Sequence, residues 1–140
     1  MLDYGCGSGK FTIPTSRMVG CNGVVYALDI DDKALQTIRR LAESQGLTNI
    51  NYIHWSEGSE LPIDSHSLDL VLLIDVIQEI PDWDRLFRIL TSLLKIGGII
   101  AVFPMHISIN KVIETATRTG LSYQGRAVKE KFLTFRAQAL

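Results

Sequence analysis

The sequence predicts an α/β fold: a doubly wound, mostly parallel sheet with helices on both faces. Two observations carry that prediction. Apolar runs of strand length alternate with longer segments of helical period, which implies right-handed βαβ crossovers. Two of those runs, LDLVLLI at 68–74 and GGIIAVFP at 97–104, are nearly continuous apolar stretches, as strands covered on both faces are.

The elements follow in order. MLDYG at the start reads as a first strand cut to about half the usual length. VVYALDI (24–30) is a β-branched run after the turn signal CNG. A helix is expected over 31–46, with Ala34, Leu35, Ile38, Leu41 and Ala42 on one stripe, Asp31 as its N-cap and Gly46 as its stop. INYIHW (50–55) is a third strand and 68–74 a fourth. The segment 81–98 reads as a helix with Leu86, Ile89, Leu90, Leu93 and Leu94 on one face, acids early and Lys95 late. Strand 97–104 and a helix over 108–120 come next. LSYQGRAV (121–128) and KFLTFRAQA (131–139) are two weaker strands, the last expected to run antiparallel.

At 140 residues the chain is most simply one domain, 1–140, large enough to bury a core. Its 46% apolar and 21% charged residues are ordinary for a globular protein. The net charge of −1 does not suggest a nucleic-acid partner, which would show a basic excess on one face. The basic lean of the end (Lys111, Arg118, Arg126, Lys129, Lys131, Arg136) reads as a solvated edge. Cys6 and Cys21 are too few for a disulfide framework and have no metal-like spacing. No signal peptide is evident, and the longest apolar run, LVLLI at 70–74, is too short for a membrane span. A cytoplasmic setting is the expectation.

The chemistry gathers in MLDYGCGSGKFTIP, where Gly5, Gly7 and Gly9 alternate behind Asp3. A glycine-rich turn between a strand and a helix lets the backbone approach a nucleotide and offers it free N–H groups. The phosphate loop G-x-x-x-x-G-K-[ST] fails here, because Phe11 follows Gly9-Lys10 and the first glycine would fall on Tyr4. The dinucleotide pattern G-x-G-x-x-G is weakened, because the sixth position is Lys10.

LDYGCGSGKFT resembles motif I of the class I S-adenosylmethionine-dependent methyltransferases, an apolar strand followed by D-x-G-C-G-x-G. Further segments of that family fall in order behind it. VVYALDID puts Asp29 at the end of the next strand, about twenty residues beyond the turn. HWSEGSELPIDSHSLDLVLL is similar to the loop after the third strand and its passage into the fourth. IDVIQEIPD resembles the segment after strand four, and LLKIGGIIAVF the helix end and strand five, with Ile96 where proline is common. The resemblance covers essentially the whole chain and is closest to the small ubiquinone/menaquinone-methyltransferase type. It implies a Rossmann-like fold, S-adenosyl-L-methionine as cofactor and a small-molecule methyl acceptor.

The resemblance also implies roles. Gly5, Gly7 and Gly9 would meet the amino-acid part of the cofactor, with Asp3 orienting loop amides or reaching the ammonium through water. Asp3 could instead be solvated. Cys6 would pack beside them and is not expected to be a nucleophile. Asp29 would accept from the ribose hydroxyls, and Ile30 would wall the adenine. Glu57, or Ser56 in the alternative register, would accept from the adenine amino group. Asp75 and Val76 leave strand four at the carboxyl end of the sheet, where ligands of doubly wound folds bind. Gln78-Glu79 stands where relatives often carry His-Glu. Gln78 can orient a substrate but cannot act as a base; Glu79 could be a base or could simply begin the next helix. His106 is the one histidine suspected near substrate, against a solvated loop position, and no metal site is expected.

The helices that precede strand one in the family have no counterpart, so the lid region is expected to be absent. Either the start is internal to a longer gene, or the chain closes its site by self-association, with an apolar rim at Tyr4, Phe11 and Ile13 favouring a homodimer. A degenerate domain that binds cofactor or a partner protein without turnover is the alternative class. A nicotinamide-dependent enzyme is a third, disfavoured by the glycine spacing.

Overall fold

The computed structural model describes residues 1–56 and 58–139, which form two compact units, Met1–Pro62 and Ile63–Leu140. The first holds β1 (Leu2–Tyr4), α1 (Thr12–Val19), β2 (Val25–Asp29), α2 (Asp32–Ser44) and β3 (Ile50–His54). Its strands are parallel in the order β3-β2-β1. β1 is as short as the sequence predicts, three residues, all buried. Pairing to β2 nonetheless extends past it, because the Gly5 and Cys6 amides both donate to the Leu28 carbonyl, at 2.8 and 3.0 Å.

α2 carries the amphipathic period that predicted it. Asp31 caps it by accepting from the Lys33 amide at 2.9 Å, and Leu35, Ile38 and Ala42 are buried against Val25, Ala27 and Ile50. Leu41, placed on the same stripe by the sequence, is instead 42% exposed; it lies about 90° round the helix from the centre of the other three. α1 was not assigned from the sequence as an element with bounds. It is eight residues, has no side-chain cap, and carries Pro14 in its first turn, where a missing N–H breaks no helical bond.

The apolar rim expected at Tyr4, Phe11 and Ile13 is not a rim. Tyr4 and Ile13 are each 7% exposed and Phe11 is half-buried. Tyr4 meets the Trp55 ring edge-on, with centroids 6.0 Å apart, and Ile13 joins the core of this unit. The reason given for self-association is thereby removed.

The second unit holds β4 (Leu68–Ile74), a short 3₁₀ turn (Ile77–Glu79), α3 (Trp83–Leu93), β5 (Leu94–Phe103), α4 (Ile109–Arg118), β6 (Leu121–Ala127) and β7 (Phe132–Ala137). β4 and β5 are parallel, and β7 runs antiparallel to both β5 and β6, giving the order β4-β5-β7-β6. The last strand is therefore antiparallel, as expected. The helix predicted over 81–98 stops at Leu93, and Leu94 turns to an extended ψ of 139° and starts β5. Pairing of β5 with β4 then skips, from Leu68↔Leu94 to Leu70↔Ile99. Leu94 keeps the helical spacing of Leu90 but buries itself as a strand residue. Phe87, left off the predicted face, is fully buried and packs on Phe135 at 6.2 Å. Among the described residues no helix is long and apolar enough to cross a membrane.

Candidate functional site

In the first unit the glycine loop joins β1 to α1. Gly5, Gly7 and Gly9 have φ of 72°, 51° and 78°, a region L side chains rarely adopt. Gly9 is constrained by space as well, since a Cβ there would lie 2.8 Å from Ile38 Cγ1. The loop closes on itself through the Gly9 amide, which donates to the Cys6 carbonyl at 2.9 Å.

Asp29, at the end of β2, ties this loop to the next. Its Oδ2 accepts from the Gly7 amide at 2.8 Å and its Oδ1 from the Asp31 amide at 2.9 Å. A carboxylate has about four lone-pair sites, so each oxygen retains acceptor capacity that vicinal hydroxyls could use. Ile30 follows, 73% exposed. Its carbonyl accepts from His54 Nε2 at 2.9 Å, and the Asp29 carbonyl from the Trp55 amide at 3.1 Å. β3 thus braces the turn from behind.

Asp3 is not solvated. It is 3% exposed beneath the loop and accepts from the Thr12 hydroxyl at 2.6 Å. Burial pushes its carboxyl above the ordinary value of 3.8; the Thr12 hydroxyl opposes this, and the charge of Asp29 adds to it. A carboxyl raised in the folded state favours folding most while protonated, so this contribution falls as pH rises from 3.8 through the higher folded value. Above that folded value the carboxylate weighs against stability relative to its protonated form. Asp3→Asn is expected to melt at or above the wild-type temperature at pH 7, and to flatten the loss of stability as pH rises, in thermal scans across pH. A variant that melts well below wild type would contradict this account of Asp3. The same burial, with Asp3 and Asp29 nearby, pushes the Cys6 thiol up to about 12. Cys6 is thus a packing thiol, un-ionised at neutral pH.

Ser56 is exposed, and its carbonyl accepts from the Ser59 hydroxyl at 3.0 Å. Glu57 lies outside the described residues. Sequence reasoning missed two supports of this site. Thr12 gave no local signal of its bond to Asp3. Trp55 was read only as the end of an apolar strand, yet its indole N–H donates to the Ser59 carbonyl at 3.0 Å.

In the second unit, Asp75 and Val76 follow β4, with Asp75 in the left-handed region at φ 53°. Gln78 Nε2 donates to Asp75 Oδ1 at 2.6 Å. Glu79 is exposed, and its amide donates to the Val76 carbonyl at 2.9 Å, closing the 3₁₀ turn. His106, beyond β5, is exposed with φ 55°. His54 and His66 are exposed and hold backbone carbonyls, of Ile30 and Leu94. Among the described residues no group of three His, Cys, Asp or Glu could hold a metal ion.

A glycine loop tied by the Gly7 amide to a carboxylate with acceptor capacity to spare, beside an exposed apolar side chain, suits a ligand with vicinal hydroxyls and a flat base, as S-adenosylmethionine has. A methyltransferase domain family matches residues 1–131. The ubiquinone/menaquinone biosynthesis C-methyltransferase UbiE of Idiomarina loihiensis is 28% identical over 133 residues, covering 91% of this chain and 53% of that protein. The chain spans about half, or less, of the length of the curated relatives it matches. A SAM-dependent methyltransferase from Aquifex aeolicus has the same fold, with a TM-score of 0.79 at 19% identity over 97% of this chain and 79% of that one. So does the [4+2]-cyclase SpnF, with a TM-score of 0.82 at 14% identity over 99% of this chain and 74% of that one. The chain belongs to the class I S-adenosylmethionine-dependent methyltransferase family, of the ubiquinone/menaquinone-methyltransferase-like type.

Proposed function

We propose that this chain transfers a methyl group from S-adenosylmethionine to a carbon of a small hydroxylated aromatic acceptor of the quinol type. The observation that carries it is Asp29, held between the Gly7 and Asp31 amides with lone pairs to spare; likeness to a quinone C-methyltransferase supplies the acceptor class. In this reading Gly5, Gly7 and Gly9 let the backbone approach the amino-acid end, and Asp29 accepts from the ribose. Ile30 covers one face of the adenine, while Ser56 or Glu57 meets its amino group. Asp3, held by Thr12, balances the positive charge of the ligand; a cation nearby favours its ionised form.

When bound, the cofactor supplies a methyl already activated on a sulfonium. The chain's own work is then to bind, orient and exclude water. Gln78 cannot take a proton, whereas Glu79 and His106 can, and both are exposed. The test is incubation with methyl-labelled cofactor and 1,4-dihydroxynaphthalene under reducing conditions. Label in a ring-methylated product supports the reading. Cofactor binding with no label transferred to any of a panel of hydroxyarenes would favour the non-catalytic class, in keeping with a fold that a cyclase also uses.

A further inference from the structure

We propose that Asn22 is a site of spontaneous covalent modification, at which the side-chain amide is lost and the backbone is in part rerouted through the side chain; this does not depend on the methyl-transfer reading. Asn22 and Gly23 lie in the link between α1 and β2, within the first unit. The Gly23 backbone nitrogen attacks the Asn22 side-chain carbonyl carbon, Cγ. The N–Cγ bond forms, the Cγ–Nδ2 bond breaks, and ammonia leaves with the proton that the Gly23 nitrogen gives up. Water then opens the five-membered imide at either of its carbonyls and leaves an aspartyl or an isoaspartyl linkage at position 22. The sum is amide plus water to acid plus ammonia, with no change of oxidation state. Approach of the nitrogen is least hindered when its own residue has no side chain.

The structure separates Asn22 from the chain's other asparagines, Asn49, Asn51 and Asn110. Asn22 is exposed, in a turn closed by the Gly23 amide on the Gly20 carbonyl, a long bond at 3.2 Å. Among the described residues its side chain meets only the Cys21 thiol, a weak donor, at 3.9 Å. Gly23 is fixed by packing, since a Cβ there would stand 2.7 Å from the Cβ and from the carbonyl oxygen of Val19. The fold therefore keeps a glycine behind Asn22. Asn49 has the opposite surroundings. Its Nδ2 donates to the Ser16 and Gly20 carbonyls at 2.8 and 2.9 Å, its Oδ1 accepts from the Ser16 hydroxyl, and the β-branched Ile50 follows it. Asn51 pairs with Tyr26 in the sheet and Asn110 stands in the first turn of α4, where regular dihedrals fix the amide that follows. An isoaspartyl link would add a methylene to the backbone between two anchored points. These are the Gly20 carbonyl, held by Asn49 Nδ2, and the Val25 amide, which donates to the Asn49 carbonyl at 2.9 Å. Either product adds a negative charge to a chain whose net charge is −1.

The experiment is incubation of the full chain at pH 6 and at pH 8, followed by tryptic mapping with fragmentation that tells isoaspartyl from aspartyl links. The peptide from Met18 to Lys33 holds Asn22 and no other asparagine. It is expected to exchange NH₂ for OH at least about tenfold faster than the peptides that hold the other three, a barrier difference of about 1.4 kcal/mol. Conversion should be faster at pH 8, because the attacking nitrogen must give up its proton. A more acidic form of the intact chain should build up in step, and Asn22→Gln, which would need a larger ring, should stay a single form on isoelectric focusing. In urea Asn22 should convert within about threefold of its native rate, since an exposed turn already opens at little cost. A native chain that keeps Asn22 intact while the urea-unfolded chain loses it would show that the Gly20–Gly23 turn locks the amide, and would overturn the proposal. Conversion of Asn49, Asn51 or Asn110 at an equal rate, or an acidic form that persists in Asn22→Gln, would overturn it too.

Discussion

Asp29→Ala should bind S-adenosylhomocysteine about tenfold to a hundredfold more weakly than wild type, from the loss of charged hydrogen bonds to ribose. Two losses act together. The variant has no acceptor for the vicinal hydroxyls, and it releases the Gly7 and Asp31 amides that the carboxylate now holds. Those amides are half-buried or exposed and can turn to water, so the unit should stay folded and the melting temperature should move little. Asp29→Asn separates the two effects. Its one oxygen can hold one amide, but its NH₂ faces the other as donor against donor, so affinity should fall between wild type and Asp29→Ala. Unchanged affinity in Asp29→Ala, or loss of the fold, would remove Asp29 from the cofactor site.

Gly9→Ala should destabilise the chain more than Gly7→Ala, whose added methyl would meet nothing within 4 Å. The residue sits at φ 78°, where an L side chain costs about 1–2 kcal/mol. Its new Cβ would meet three atoms of Ile38, at 2.8, 3.2 and 3.3 Å, and overpacking of this kind costs about 1–3 kcal/mol more. Ile38 is fully buried on α2 and has little freedom to retreat. The sum, about 2–5 kcal/mol, corresponds to a fall in melting temperature on the order of 10 °C. Ile38→Ala should cost less in the Gly9→Ala background than in wild type, because it removes all three atoms that the new Cβ meets and leaves only the backbone strain. A melting temperature within about 2 °C of wild type would show that the loop and α2 separate more easily than this packing implies.

What could be read from the sequence was what is local. The 24–30 and 68–74 runs, the Asp31 cap and the Gly46 stop depend on a residue and its near neighbours, and they correspond to β2, β4 and the ends of α2. The glycine spacing and the distance on to Asp29 are likewise sequence intervals, and the two meet in a 2.8 Å hydrogen bond. What could not be read depends on which local signal wins or on contacts through space. Leu94 fits the α3 stripe by spacing, but pairing with Leu68 takes it into a strand. α1 is too short and polar to show a period, and it is held by Ile13 in the core and Thr12 on Asp3. Tyr4 looked like an exposed rim because its cover, Trp55, lies far along the chain.

The Gly5–Gly9 loop and Asp29 are expected to cradle S-adenosylmethionine and not another nucleotide. Parallel calorimetric titrations of the chain with S-adenosylhomocysteine, NAD and ATP test it most directly. One-to-one binding of S-adenosylhomocysteine is expected, weakened in Asp29→Ala, with NAD and ATP bound much more weakly or not at all. Binding of NAD as tight as that of S-adenosylhomocysteine, or no binding of S-adenosylhomocysteine, would contradict it.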